Sequence, residues 1–259
     1  MENVSFSQSM MFRKSWDFMK KQGVTMVGLY LAFMAVSLFL GLISGNDVTS
    51  VRYILGNLLA AILSWGFGMG FGKLILNILD GMEPKMSVFL SIWSRAWTYL
   101  KLEILILSVI VVLGLIAFIA ADFAIKTPPA ISVFIPLLGY LILAGLSILL
   151  CWIMIRISFA GIIILDTELG CRAALKRSWY ITKGYEWKLI LLYLSILLLN
   201  VLGLLALVIG VFFTIVMSSF ISTIAYRVLW ALYRENENIT DGVSAVDYDN
   251  DCLLYTSDA

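Results

Sequence analysis

Histidine does not occur among the 259 residues, only 4 are proline, and charged side chains make up 14% of the chain, where a soluble domain carries about 25%. The lack of histidine removes Ser-His-Asp and Cys-His catalysis and every His-based metal site. The lack of charge leaves too little polar surface to cover a water-soluble fold of this size. The three cysteines, Cys151, Cys171 and Cys252, match no zinc spacing. Cys151 lies in an apolar run and Cys171 in a basic loop, so both are expected as free thiols. A net charge of +1 gives no bulk attraction for nucleic acid. What is abundant is apolar: 61% of residues are hydrophobic, against about 45–50% in soluble domains, and mean hydropathy is +0.98. Together these values exclude a soluble enzyme, a disordered chain and a secreted disulfide scaffold, and predict an all-α polytopic membrane helical bundle.

About 20 apolar residues at 1.5 Å rise cross the roughly 30 Å hydrocarbon core of a bilayer. Six segments qualify. They are Val24–Ser44, Tyr53–Lys73 (with an extension to Leu79), Ile104–Phe123, a long run from Ile131 to Leu165 interrupted only by Arg156, and two spans within Leu189–Tyr233. The last run is divided near Gly210, into Leu189–Val208 and Val211–Leu232. The first apolar run follows Lys20 and Lys21 and lacks a small-residue cleavage site, so it reads as a span and not as a signal peptide. With six spans, 16 of the 18 Lys and Arg residues fall on one side, leaving Arg52 and Lys126 on the other. Positive residues stay cytoplasmic, so both termini are expected inside.

Three segments align at a period of 81–82 residues. Each has a basic residue, a small residue, Trp, and Lys four positions after the Trp: Lys14, Trp16 and Lys20; Arg95, Trp97 and Lys101; Arg177, Trp179 and Lys183. Each precedes an odd-numbered span. The unit reads as an amphipathic helix followed by a hairpin, repeated three times over about 5–79, 84–165 and 168–233. The apolar faces are expected to hold Phe12, Trp16 and Met19 in the first copy, Ile92, Trp93, Ala96 and Trp97 in the second, and Leu175 and Trp179 in the third. Such helices lie in the membrane interface. Three of them on the inner leaflet would form a basic, Trp-bearing collar for anionic lipid or a partner protein, at about 1 kcal/mol per basic residue.

Within the second span, Gly66, Gly68, Gly70 and Gly72 form two overlapping G-x-x-x-G pairs. Small residues at that spacing let helix backbones approach closely. Packing is the leading reading, and a pore-lining role the alternative. Asn57, Asn77 and Asn200 are candidate interhelical hydrogen-bonders. Ser218, Ser219, Ser222 and Thr223 can bond back to their own helix. Arg156, inside the overlong fourth span, is a candidate functional residue, but only about nine residues separate it from Asp166, so a structural or snorkelling role at the cytoplasmic headgroups is the leading reading. No span carries a midplane Asp or Glu, which disfavours a proton-coupled carrier. Asp47 and Asp122 fall in outer loops. Asp80 and Glu83, like Asp166 and Glu168, end spans two and four. They would suit an enzyme only if they converged in one cleft. No cofactor motif is present.

After Arg234 the chain turns acidic and aperiodic, and 235–259 are expected to be a disordered tail beyond a membrane domain of 1–234. The terminal stretch 252–259 reads like translated adapter sequence. Ala174-Leu175-Lys176-Arg177-Ser178-Trp179 followed by Lys183-Gly184, the glycines Gly203 and Gly210, and Ala225-Tyr226-Arg227-Val228-Leu229 resemble a bacterial family of uncharacterised integral membrane proteins. That family is related to the membrane domain attached to some glycerophosphodiester phosphodiesterases. The resemblance implies about six spans, a bacterial cytoplasmic membrane and no established activity. The catalytic domain of those enzymes has no counterpart here. The leading functional expectation is a non-enzymatic, membrane-embedded interaction or accessory module. The alternative is a transporter or channel for lipidic or small amphipathic substrates.

Overall fold

The computed structural model describes residues 6–45, 49–126, 134–167, 169–206 and 208–241. Asp47, the Thr127-Pro128-Pro129 break, Glu168 and the tail beyond 241 lie outside the described residues. The chain is an all-α bundle. Its helices are α1 (Gln8–Ser44), α2 (Val51–Leu79), α3 (Val88–Ser91), α4 (Trp93–Lys126), α5 (Phe134–Ile157), α6 (Ala160–Asp166), α7 (Cys171–Ile181), α8 (Glu186–Leu205) and α9 (Val208–Asp241). Six helical stretches are long and apolar enough to cross a membrane: Gln8–Ser44, Val51–Leu79, Trp93–Ile116, Ala144–Asp166, Glu186–Leu205 and Gly210–Glu235.

Several boundaries differ from the sequence reading, each for a local reason. The first motif lies inside α1, a single helix of 37 residues, which at 1.5 Å per residue is about 55 Å long. The second motif opens α4, directly after the one-turn α3. Only the third forms a helix of its own, α7, which ends at Ile181 before Gly184 turns the chain at φ +85° into α8. The expectation of three separate surface helices is therefore corrected for the first two copies. The long fourth run also breaks, between Ile157 and Ala160. There Ser158 donates both its N–H and its hydroxyl to the Ile155 carbonyl, at 3.4 and 2.8 Å, and leaves the i→i−4 ladder. The last pair turns after Leu205, before the expected Gly210. Gly203 and Gly210 face each other so closely across this turn that a Cβ on Gly210 would lie 2.5 Å from the Gly203 carbonyl oxygen. Finally, α9 runs seven residues past Arg234, to Asp241, so the start of the expected tail is helical.

The helix α9 is central. Half of its most apolar stretch is buried, against 6% in α1 and in α4. Phe18 of α1 stacks on Phe220 at 5.8 Å, and Tyr30 meets Phe212 at 6.0 Å. Asn200 of α8 donates to the Ser218 hydroxyl of α9 at 3.0 Å. Burial concentrates at one end of the bundle, in Met69–Leu79 of α2, Ile163–Leu165 of α6 and Val216–Leu232 of α9. The opposite halves of α1, α2 and α4 present Leu38, Phe39, Leu42, Leu55, Ile116 and Phe118 outward, as lipid-facing surface would.

Candidate functional site

The packed end is also the charged end. Two carboxylates, Asp80 just after α2 and Asp166 closing α6, meet on one guanidinium. Arg227 Nη2 contacts both Asp80 oxygens, at 2.8 and 2.9 Å, and Asp166 Oδ1 at 3.1 Å. The neighbouring Tyr226 hydroxyl donates to Asp166 Oδ2 at 2.8 Å. Arg95 Nη1 donates to the carbonyls of Ile164, Leu165 and Thr167 at 3.3, 3.0 and 3.0 Å. It thus caps the C-terminus of α6, where the helix dipole favours a cation. Lys73 adds a further charge that feels Asp166, Arg95, Asp80 and Arg227. This cluster joins α2, α4, α6 and α9. Its carboxylates are taken up by Arg227 and Tyr226, and Glu83 stands exposed; of the acids that an enzyme would have needed in one cleft, Asp80 and Asp166 meet, around a cation. Among the described residues no three Asp, Glu or Cys side chains come together to hold a metal.

Arg156, the sequence candidate for an intramembrane role, is 7% exposed. Its guanidinium lies 5.0 Å from the ring centroids of both Trp152 and Trp179, donates to the Trp179 carbonyl at 2.9 Å and pairs with Glu186. Ser178 returns a hydrogen bond to the Arg156 carbonyl at 2.8 Å. The residue brackets α5 to α7 and α8.

The four glycines divide by pair. A Cβ on Gly70 would sit 2.1 Å from the Phe89 ring, and one on Gly66 3.6 Å from Trp93, so Gly66 and Gly70 seat α3 and the start of α4. Gly68 has nothing within 4 Å, and Gly72 only Leu165. Gly68 and Gly72 face a cleft of about 450 Å³ between α2, α4, α6, α8 and α9. Its polar wall is Tyr99, Ser158, Asn200 and the α9 hydroxyls Ser218, Ser219, Ser222 and Thr223. Asn200 and these α9 residues were legible only as helix-packing polar groups. The signal that could have placed them in one cavity is their spacing, since 218, 219, 222 and 223 share one helix face.

The collar residues separate in the same way. In each copy the small residue is buried (Ser15 0%, Ala96 8%, Ser178 0%), as is the residue four before it, Met11, Ile92 or Ala174. The Trp that follows is exposed: Trp16 46%, Trp97 66%, Trp179 36%. The buried stripe thus runs one residue from the Trp, through Ile92 and Ala96 of the expected apolar face in the second copy, because a small side chain permits close helix approach and a Trp indole does not. Lys20, Lys101 and Lys183 are exposed, whereas Lys14, Arg95 and Arg177 are half-buried. Arg95 holds the α6 carbonyls, and Arg177 lies 4.1 Å over the Trp230 ring. No family model, curated protein or solved structure matches the chain.

Proposed function

We propose that the chain is a non-enzymatic membrane module that holds a lipidic or small amphipathic molecule in the cleft between α2 and α9. The observation that carries this reading is the cleft itself. It has about 450 Å³ of space, within the usual size of ligand sites. Its hydroxyl and amide wall stands among helices that otherwise turn apolar side chains outward. Carriage of that molecule across or along the membrane fits the same geometry. Six apolar helices and 16 of 18 basic residues on one side support a bacterial cytoplasmic membrane with both termini inside, as does the resemblance to the bacterial integral membrane family.

The test is native mass spectrometry of the full chain purified in lipid nanodiscs. Wild type should carry a bound amphiphile, and Gly68→Leu, which fills open space, should lose it while keeping its thermal stability. An empty wild-type protein, or unchanged retention in the variant, overturns the proposal.

A second reading, docking of the charged end on anionic lipid, is favoured by the exposed Trp16, Trp97 and Trp179 beside Lys20, Lys101 and Lys183. Reversing these three lysines to Glu should abolish any preference for anionic over zwitterionic vesicles, and an unchanged preference removes this reading.

A further inference from the structure

The cleft's hydrogen-bonding character narrows what can sit in it. Ser218, Ser219 and Thr223 each donate their hydroxyl hydrogen to their own helix, to the carbonyls of Thr214, Ile215 and Ser219 at 2.6, 3.0 and 2.8 Å. What Ser219 and Thr223 turn toward the cleft is therefore oxygen lone pairs. The Asn200 amide nitrogen is fixed by the Ile196 carbonyl at 2.9 Å, which can only accept, and its second hydrogen goes to Ser218 at 3.0 Å. Asn200 Oδ1 remains buried with no partner among the described residues, and no hydrogen bond engages the Ser222 hydroxyl there either. Apart from the Tyr99 and Ser222 hydroxyls, the polar wall is a row of acceptors. A buried acceptor left unpaired is costly, so such a wall selects a molecule that brings donors.

Charge then decides which donors. No acid or base other than the Tyr99 phenol lines the cleft. The charges near it balance, Lys73, Arg95 and Arg227 against Asp80, Asp166 and the Glu103 that acts on Tyr99. With no carboxylate in the wall itself, an ammonium group would enter without a counter-charge. An anion would find few N–H or O–H donors on the wall to replace its water. Neutral hydroxyls are the donors that remain, and Phe71, Ile75 and Ile162 offer apolar surface to the C–H faces that a sugar or polyol also carries.

We infer that the cleft is a binding site for a neutral polyol headgroup, held by acceptors at Asn200, Ser219 and Thr223 with the Ser222 hydroxyl beside them. This rests on the reading that the cleft takes an amphiphile, and specifies its polar part.

The experiment uses the full chain in phosphatidylcholine nanodiscs doped with either monoglucosyl diacylglycerol or plain diacylglycerol, with bound lipid read by native mass spectrometry. The glucosyl lipid should be retained roughly tenfold over diacylglycerol, the discrimination expected of one or two hydrogen bonds. The variant S219A/T223V, which keeps side-chain volume but removes two acceptors, should lose most of that preference at unchanged thermal stability. Free glucose serves as the third arm. Displacement of the lipid by glucose names a soluble sugar as the source of the headgroup chemistry, and failure to displace names the lipid; both uphold the hydroxyl recognition. Equal retention of the two lipids, or an unchanged preference in the variant, overturns it. In the first of those outcomes lipid is still bound, so the amphiphile reading survives while the polyol assignment does not.

Discussion

Removing Arg227 should be among the most damaging single changes to this bundle. Its side chain is 12% exposed, and the carboxylates it bridges are 23% (Asp80) and 13% (Asp166) exposed. Arg227→Met keeps most of the volume and deletes the charge, which takes from two shielded carboxylates the cation they share and leaves Tyr226 on Asp166 and Lys73 nearby. Deleting one partner of a buried ion pair costs about 3–5 kcal/mol, because the charge left behind is desolvated and uncompensated. On the scale that relates free energy to melting temperature, roughly 2–4 °C per kcal/mol for chains of this size, the loss is on the order of 10 °C. The assay is thermal unfolding of purified protein in detergent, followed by tryptophan fluorescence. The decisive comparison is the triple variant R227M/D80N/D166N. If the cost comes from stranded charge, neutralising both acids should recover more than half of the loss, since replacing an entire buried network is often close to neutral. A melting temperature for Arg227→Met within experimental error of wild type would refute the argument. So would a triple variant less stable than the single one, since the network would then be contributing attraction and not merely avoiding a penalty.

Three further outcomes follow from the geometry. Gly70→Ala places a Cβ 2.1 Å from the Phe89 ring and should cost about 1–3 kcal/mol through overpacking, whereas Gly68→Ala meets nothing and should be neutral or stabilise by up to about 1 kcal/mol through helix propensity; thermal unfolding of the two variants side by side checks this, and equal effects would contradict the division of the glycines. Arg156→Lys keeps the charge but loses the planar group that lies between two indoles, so it should destabilise and change the fluorescence of Trp152 and Trp179, and an unperturbed emission spectrum would count against the bracket. Burial raises the Cys171 thiol above the usual range, more than the nearby Lys101 and Arg172 lower it; a raised value means less thiolate at neutral pH, so maleimide labelling of Cys171 should be slower than that of a free cysteine and accelerate only as pH rises past about 8.5, and rapid labelling at pH 7 would contradict it.

Fold class and span number were readable because both depend on composition and run length, which survive any detail of packing. The seams were not. The amphipathic reading turned Trp16, Trp97 and Trp179 toward the membrane interface and left the packed seam, which runs through Ser15, Ala96 and Ser178, largely unidentified. In a bilayer, burying a large apolar group gains little over leaving it in lipid, so close contact is decided by side-chain size. The same physics hid the cleft. Gly68 and Gly70 are indistinguishable in a sequence, and only the arrival of Phe89 at one and of nothing at the other tells packing from lining. Arg227 was counted toward topology and given no partner. Its match with Asp80 and Asp166 was available in principle, since one cation and two anions at the ends of three spans on one side are candidates to pair.

The placement of polar groups also explains why a cleft exists at all. With lipid on the outside, no hydrophobic force draws these helices together, and association rests on small-residue contacts and hydrogen bonds. In the described residues the interhelical ties gather mostly at one end: Arg227 with two aspartates, Arg95 on α6, Arg156 with Glu186, and Gln8 with the Lys188 carbonyl at 3.3 Å. Toward the other end, α8 and α9 are held by Gly203, Gly210 and the Asn200–Ser218 bond, and α1 and α2 by Ser44 against Gly56 and by Arg52 donating to the Ile43 carbonyl, while most other side chains of those halves of α1, α2 and α4 are exposed. Hairpins clamped to one another at one end are tied only within each pair toward the other, and α9 lines the cleft with its hydroxyls between them. Opening the clamp should therefore alter the cleft. If the amphiphile site is real, Arg227→Met should weaken binding beyond what its reduced folded fraction explains, measured on the folded population below its melting temperature. Binding unchanged in that population would show that the cleft is held by α8 and α9 alone.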